Sequence, residues 1–285
     1  MIKTGLQMMS TRKMHIRSFS SSYMTIKRDV VDSNDTGVVI LQLNQPDTLN
    51  ALTVDIGKEF QSNLAKLKSD DSVRCLILTG SGRAFSAGGD LEWLRARNIA
   101  PASQNVKTME NFYGMFLSSL LQLPFPTIAA VNGLAVGAGA CLPLACDIRL
   151  AGDKAKFAYN FVRLGIPPGM GGSYTLQKII GHQRASKLLL TGTPISAKEA
   201  QSYGLVLDVI PQEELQVVSL EMAREIAKGS PVAIRETLKA LRLNFNGGLI
   251  ENSLAREALS QAICMKEPDY MEGLNAVSEK RSPKF

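Results

Sequence analysis

No stretch of this chain approaches the roughly 18–20 consecutive apolar residues that a membrane-spanning helix needs, so no transmembrane segment is expected. Histidine is scarce, with two in 285 residues. His15 lies near the N-terminus and His182 follows Gly181 in an expected turn, which gives a histidine general base weak support. The four cysteines, Cys75, Cys141, Cys146 and Cys264, sit in apolar runs without metal-ligand spacing or a secretory signal. They read as buried free thiols, and no metal site is expected. No internal repeat of fixed period occurs. Acidic residues are absent before Asp29, whereas residues 1–24 hold Lys3, Arg12, Lys13 and Arg17. Taking those four from the 32 basic residues leaves 28 against 26 acidic ones, so the charge falls from +6 to +2. A body this close to neutral excludes nucleic-acid binding by bulk charge. The acid-free segment gathers Ser18, Ser20, Ser21 and Ser22 behind Arg17, and Arg17-Ser18-Phe19-Ser20 resembles a processing site. Residues 1–24 therefore read as a mitochondrial transit peptide, which implies a matrix location. A disordered tail with no address is the alternative.

With 45% hydrophobic residues, the chain can bury a large core. The division expected is one main domain over 25–210 and a smaller helical region over 211–285. The most informative stretch runs from Asn132-Gly133-Leu134-Ala135-Val136-Gly137-Ala138-Gly139-Ala140-Cys141 to Cys146-Asp147, behind an apolar strand over 126–131. Its glycines permit tight turns and close backbone approach to a ligand. The small residues after them predict the start of a buried helix, which directs free N–H groups and partial positive charge forward. Alone, this stretch reads first as a Gly/Ala-rich packing helix. A second unit of the same kind lies upstream. Apolar residues 73–79 lead into Gly80-Ser81-Gly82-Arg83-Ala84-Phe85-Ser86-Ala87-Gly88-Gly89-Asp90-Leu91 and then a helix. Two strand–glycine turn–helix units can aim two N–H donors at one oxygen.

Taken in order, 24–31 and 38–43 predict a hairpin turning at Asp35-Thr36-Gly37. A helix follows over 53–68 with Ile56, Phe60, Leu64 and Leu67 at helical spacing, and Asn50 before it reads as a turn or capping residue. Residues 91–97 are helical, 99–103 break the helix, and 106–123 resume it with Met109, Phe112, Tyr113, Phe116 and Leu120 on one side, read as core. Strands are expected at 147–151 and 157–159, and a Pro/Gly loop at 161–172. Short helices are expected at 173–180, 185–190 and 197–203, the last capped by Ser196. A final strand at 206–210 precedes helices at 212–228, 231–243, 248–264 and 268–279.

Ordered motifs across about residues 25–285 resemble the enoyl-CoA hydratase/isomerase (crotonase) superfamily. They are Gln45-Pro46-Asp47-Thr48-Leu49-Asn50-Ala51-Leu52, Ala87-Gly88-Gly89-Asp90, Asn132-Gly133 through Cys146-Asp147-Ile148-Arg149, and Gly165-Ile166-Pro167-Pro168-Gly169-Met170-Gly171-Gly172. Further matches are Leu190-Thr191-Gly192, Ile195-Ser196-Ala197, Gly204-Leu205-Val206 and Glu279-Lys280-Arg281. The resemblance implies an α/β fold, the crotonase (ClpP-like) spiral of ββα units, with a helical C-terminal trimerisation region. It implies an acyl-CoA substrate, no separate cofactor, and a homotrimer or homohexamer. The nominal reaction is enoyl-CoA hydration or isomerisation in fatty-acid metabolism.

By the same resemblance, the backbone N–H groups of Gly89 and Ala138 hold the thioester oxygen. Leu49, Ala87, Asp90, Leu91, Gly137 and Gly165 fall at the substrate. The two positions where hydratases of the family carry glutamates are Cys141 and Phe161. An unperturbed thiol has a pKa of about 8.5, and phenylalanine carries no proton. Gly169 stands where some relatives place an aspartate. Tyr159, Asn160, Arg163, Tyr174, Asp90, Glu92 and Glu110 are the remaining polar groups near these motifs. Two readings stay open: an acyl-CoA enzyme with non-standard proton chemistry, and a non-catalytic acyl-CoA binder or partner subunit.

Overall fold

The computed structural model describes residues 14–20 (backbone), 23–31, 33–245, 247, 256, 258, 259 and 261–285. Most of the expected transit peptide and most of the helix expected at 248–264 lie outside the described residues, although 261–264 are helical.

A seven-stranded sheet forms the frame, in the order β1-β2-β3-β4-β6-β8-β11. Its strands are β1 (Met14–Ser20), β2 (Met24–Val31), β3 (Asn34–Leu43), β4 (Cys75–Gly80), β6 (Thr127–Val131), β8 (Ile148–Gly152) and β11 (Asp208–Ile210). The first three strands pair antiparallel and the remainder parallel. A parallel strand buried on both faces reads as a continuous apolar run, and β3 shows why. Val39, Leu41 and Leu43 enter the main core, whereas Val38 and Ile40 enter a second core on the opposite face.

A smaller sheet, in the order β10-β9-β7-β5, uses β5 (Ala84–Ser86), β7 (Leu134–Val136), β9 (Lys156–Ala158) and β10 (Ile195–Ser196). The chain steps from the large sheet to the small one at β4–β5, β6–β7 and β8–β9, and helical segments follow each step. This is the expected spiral of ββα units. The helices are α1 (Val54–Lys68), α2 (Leu91–Arg97), α3 (Ala102–Tyr113), α4 (Ser119–Leu121), α5 (Ala138–Cys141), α6 (Gly172–Ile180), α7 (His182–Thr191), α8 (Ala197–Ser202), α9 (Leu215–Ala227), α10 (Pro231–Phe245) and α11 (Pro268–Glu279). Among the described residues, no helix is long and apolar enough to cross a membrane.

Several local expectations need correction. The hairpin does not turn at Asp35-Thr36-Gly37, which lie inside β3. The Asp35 carboxylate accepts from the Gly37 N–H at 2.8 Å and Gly37 has φ 74°, so the turn chemistry is present. It accompanies a register shift opposite Arg28 and Val30 instead of reversing the chain. The helix expected from 106 starts at 102 and passes through a π-helical turn at Gly114–Ser118 before α4. The helix expected after the central glycines is one turn of α-helix, Ala138–Cys141, tightened to 3₁₀ over Leu142–Ala145, where Pro143 cannot donate to an α ladder. The backbone of 14–20, within the expected transit peptide, pairs along β2.

Candidate active site

The loop before α1 builds one wall of the site. After a 3₁₀ turn at Pro46–Thr48, Leu49 and Asn50 both take left-handed backbones, φ 54° and 55°. Asn50 is 1% exposed and fully used. Its Oδ1 accepts from the Gln45 N–H (2.8 Å), and its Nδ2 donates to Ser81 O (3.0 Å) and Ala84 O (2.8 Å). The expected turn residue thus ties the loop to the Gly80–Ser86 segment.

The first donor turn is clamped onto this loop. The Ala87 N–H donates to Leu49 O (2.9 Å), Leu52 N–H to Gly88 O (2.7 Å) and Asp90 N–H to Leu52 O (3.1 Å). Gly89 forms a parallel bridge with Leu52 through its two neighbours. In such a bridge the residue between the bonded neighbours turns its own N–H the other way. No described group accepts from the Gly89 N–H, and that residue lines a cavity.

The second turn arrives from β7. Gly137 has φ 54° and donates its N–H to Ala158 O (2.8 Å), which anchors the start of α5. The N–H of Ala138, the first residue of that turn, likewise has no acceptor among the described residues. Close packing brings the two turns together. A Cβ on Gly88 would stand 2.5 Å from Val136 O and 3.4 Å from Ala138 N. A Cβ on Gly139 would stand 2.7 Å from Ser86 Oγ. Glycine at 88 is doubly required, because its φ is 92°.

Gly89 and Ala138 line the same cavity, of about 560 Å³. Ala87, Asp90, Leu91 and Gly137, expected at the substrate, are also in its wall. Leu49 and Gly165 are not. Leu49 supports the wall through its carbonyl, and Thr48 and Ala51 face the cavity in its place. Gly165 ends the 3₁₀ turn Phe161–Leu164 with φ 73°, and its neighbours Leu164 and Ile166 supply the surface.

The two expected acid positions diverge. Phe161 lines the cavity as an apolar surface. Cys141 does not: it is fully buried behind the wall, its thiol 3.6 Å from Gly169 O, and burial pushes its pKa up to about 12. Because the shift is upward, the thiol stays protonated through the range near pH 8–9 where a free cysteine ionises. Native protein treated with iodoacetamide at pH 8.5 should therefore leave Cys141 unmodified in mass spectrometry, with Cys264 alkylated first. Rapid native-state labelling of Cys141 would contradict this placement.

Other polar candidates separate clearly. Asp90 caps α2, accepting from the Trp93 N–H at 2.7 Å, and also reaches the cavity wall with Glu92. Asn160 lines the cavity beside Gly137 and makes no side-chain cap. Tyr159 is buried, with its hydroxyl 3.4 Å from Ala140 O. Arg163 is taken up by Thr191 O at 3.0 Å. Tyr174 and Glu110 are not in the wall. Met109 and Tyr113, read as core, are wall residues. Among the described residues, no cluster of three His, Cys, Asp or Glu side chains could hold a metal ion.

The fold is shared with solved structures. An enoyl-CoA hydratase from Bacillus anthracis superposes with TM-score 0.81 at 33% identity, covering 95% of this chain and 98% of that one. The enoyl-CoA hydratase/isomerase family model matches residues 33–285, and the chain belongs to that family. Two curated relatives from Escherichia coli K12 are similar along nearly their whole lengths. A 1,2-epoxyphenylacetyl-CoA isomerase is 35% identical over 88% of this chain and 95% of its own. A 2,3-dehydroadipyl-CoA hydratase is 34% identical over 90% and 98%.

Proposed function

We propose that the protein binds an acyl-CoA and polarises its thioester carbonyl between the N–H groups of Gly89 and Ala138. The observation that carries this reading is the pair itself: two backbone donors, without acceptors among the described residues, in the wall of one cavity. When an α-proton leaves or a nucleophile adds, negative charge gathers on the thioester oxygen. Donors already aimed at that oxygen stabilise it without reorganising.

The acid/base groups define the reaction more narrowly. Paired carboxylates are what water addition across a double bond requires. Here one position is apolar Phe161 and the other is a neutral thiol behind the wall. The reading favoured over efficient hydration is weak hydration, an enolate-type reaction such as double-bond isomerisation or decarboxylation, or thioester hydrolysis through a tetrahedral intermediate. The same two substitutions favour a second reading, an acyl-CoA binder without turnover. The family resemblance supports a homotrimer or homohexamer acting in fatty-acid metabolism, and the basic, Ser-rich N-terminal segment supports a mitochondrial-matrix location.

The test is incubation with saturated, enoyl, dienoyl and malonyl-type CoA thioesters, with products followed by mass spectrometry. Conversion of at least one is expected. Binding without conversion of any would replace the enzyme with the binder.

A further inference from the structure

Tyr113 closes α3 immediately before the π-helical turn Gly114–Ser118. Insertions of this kind redirect the side chains around them and recur at functional sites. Here Phe112 and Phe116 go into the core, whereas Tyr113 is half-buried in the cavity wall. No described group hydrogen-bonds its hydroxyl. A Cβ on Gly169 would stand 2.5 Å from that hydroxyl and 3.1 Å from the ring carbon bearing it. Gly169 does not have a left-handed backbone, so its conformation does not demand glycine; the room taken by Tyr113 does. Gly169 O in turn meets the Cys141 thiol at the end of the helical turn that Ala138 begins. The hydroxyl therefore belongs to the same small region as the two donors.

Burial raises the Tyr113 pKa, so the phenol stays protonated near neutral pH and can donate. Sharing the cavity wall with Met109, Phe161 and Met170, it gains from an acceptor that no described residue supplies. On the functional reading above, on which this inference rests, the thioester oxygen is already held by two N–H groups. When an acyl group fills the cavity and displaces water from the hydroxyl, a second oxygen on that group is the acceptor that replaces it. No lysine, arginine or histidine lines the cavity among the described residues, whereas Asp90 and Glu92 do. A carboxylate is thus disfavoured and an uncharged oxygen favoured. We infer that Tyr113 is a specificity-determining residue that selects acyl-CoAs bearing an uncharged oxygen, a hydroxyl, keto or epoxide group, near the thioester.

The test is calorimetric binding of hexanoyl-CoA, its 2-, 3- and 4-hydroxy derivatives, and adipyl-CoA. Wild type should bind at least one hydroxyacyl-CoA roughly tenfold tighter than hexanoyl-CoA, and adipyl-CoA weaker than hexanoyl-CoA. In Tyr113→Phe the hydroxyacyl/hexanoyl ratio should collapse to within about twofold. Gly169→Ala, which crowds the hydroxyl, should lower the same ratio. Equal binding of all neutral thioesters by wild type, a ratio that survives Tyr113→Phe, or a preference for adipyl-CoA would overturn the inference while leaving thioester binding intact. Failure to bind any of the thioesters would overturn the functional reading as well.

Discussion

Gly89→Pro should lower turnover of whichever acyl-CoA is converted by about 10²–10³-fold, the usual effect of deleting one oxyanion donor. The substitution is well suited to the question because the Gly89 N–H has no partner to lose among the described residues. The bonds that hold the turn, Leu52 N–H to Gly88 O and Asp90 N–H to Leu52 O, use neighbouring atoms. The preceding residue is glycine, which tolerates the restriction that a following proline imposes. Gly89→Ala is the control. A Cβ there meets Leu94, with Cδ1 at 3.6 Å and Cγ at 3.9 Å, ordinary contacts, and the N–H is kept. The alanine variant should therefore retain activity to within a few-fold. Steady-state kinetics of the two variants, each checked for native circular dichroism, separate donor loss from backbone disturbance. Equal kinetics for proline and wild type would remove Gly89 from the reaction.

Arg224→Met should destabilise the fold by about 3–5 kcal/mol, because it strands a buried carboxylate. Asp29 in β2 is 1% exposed and is held by Arg224 Nε (2.7 Å) and Nη2 (2.6 Å) from α9, with the Thr36 hydroxyl at 2.8 Å. Hydrogen bonding to Asp29 raises the Arg224 pKa, which keeps the guanidinium charged at any pH the fold tolerates. The pair staples α9 across the face of the large sheet opposite the main core. For a chain of this size the loss corresponds to a fall in Tm of roughly 6–20 °C. Asp29→Leu combined with Arg224→Met removes both charges and should recover most of it, since the penalty lies in the unpaired ion. A single variant as stable as wild type, or a double variant no better than the single, would contradict the assignment.

The sequence disclosed those parts whose burial is periodic or continuous. Helix α1 has the predicted stripe and Thr53 as its cap, accepting from the Ile56 N–H at 3.2 Å. Residues 91–97 fold as the predicted helix. The apolar runs at 73–79 and 126–131 became β4 and β6 with small shifts at their ends. The small sheet was not legible, because β5, β7 and β10 are too short to show a period of their own and are embedded in glycine turns. The two glycine turns were legible for a related reason. Close approach demands glycine at 88 and 139, and small residues are visible in a sequence even when the contact is not.

Tyr113 was hidden by its neighbours. Aromatic residues at 112, 113 and 116 suggest one core stripe, yet Phe112, Phe116 and Leu120 form that stripe while Met109 and Tyr113, four residues apart, form a second one facing the cavity. Leu49, expected at the substrate, is not in the cavity wall, because its motif marks the loop and not the direction of each side chain. Its contribution is a backbone carbonyl holding Ala87.

The most direct test of carbonyl polarisation is isotope-edited infrared spectroscopy of a bound acyl-CoA carrying ¹³C at the thioester carbon, compared between wild type and Gly89→Pro. This measurement works whether or not the ligand is turned over. Two converging N–H donors predict a bound carbonyl band shifted to lower frequency than in water, with part of that shift lost in the proline variant. A bound carbonyl with its solution frequency, or a shift unaffected by removing the Gly89 N–H, would contradict it.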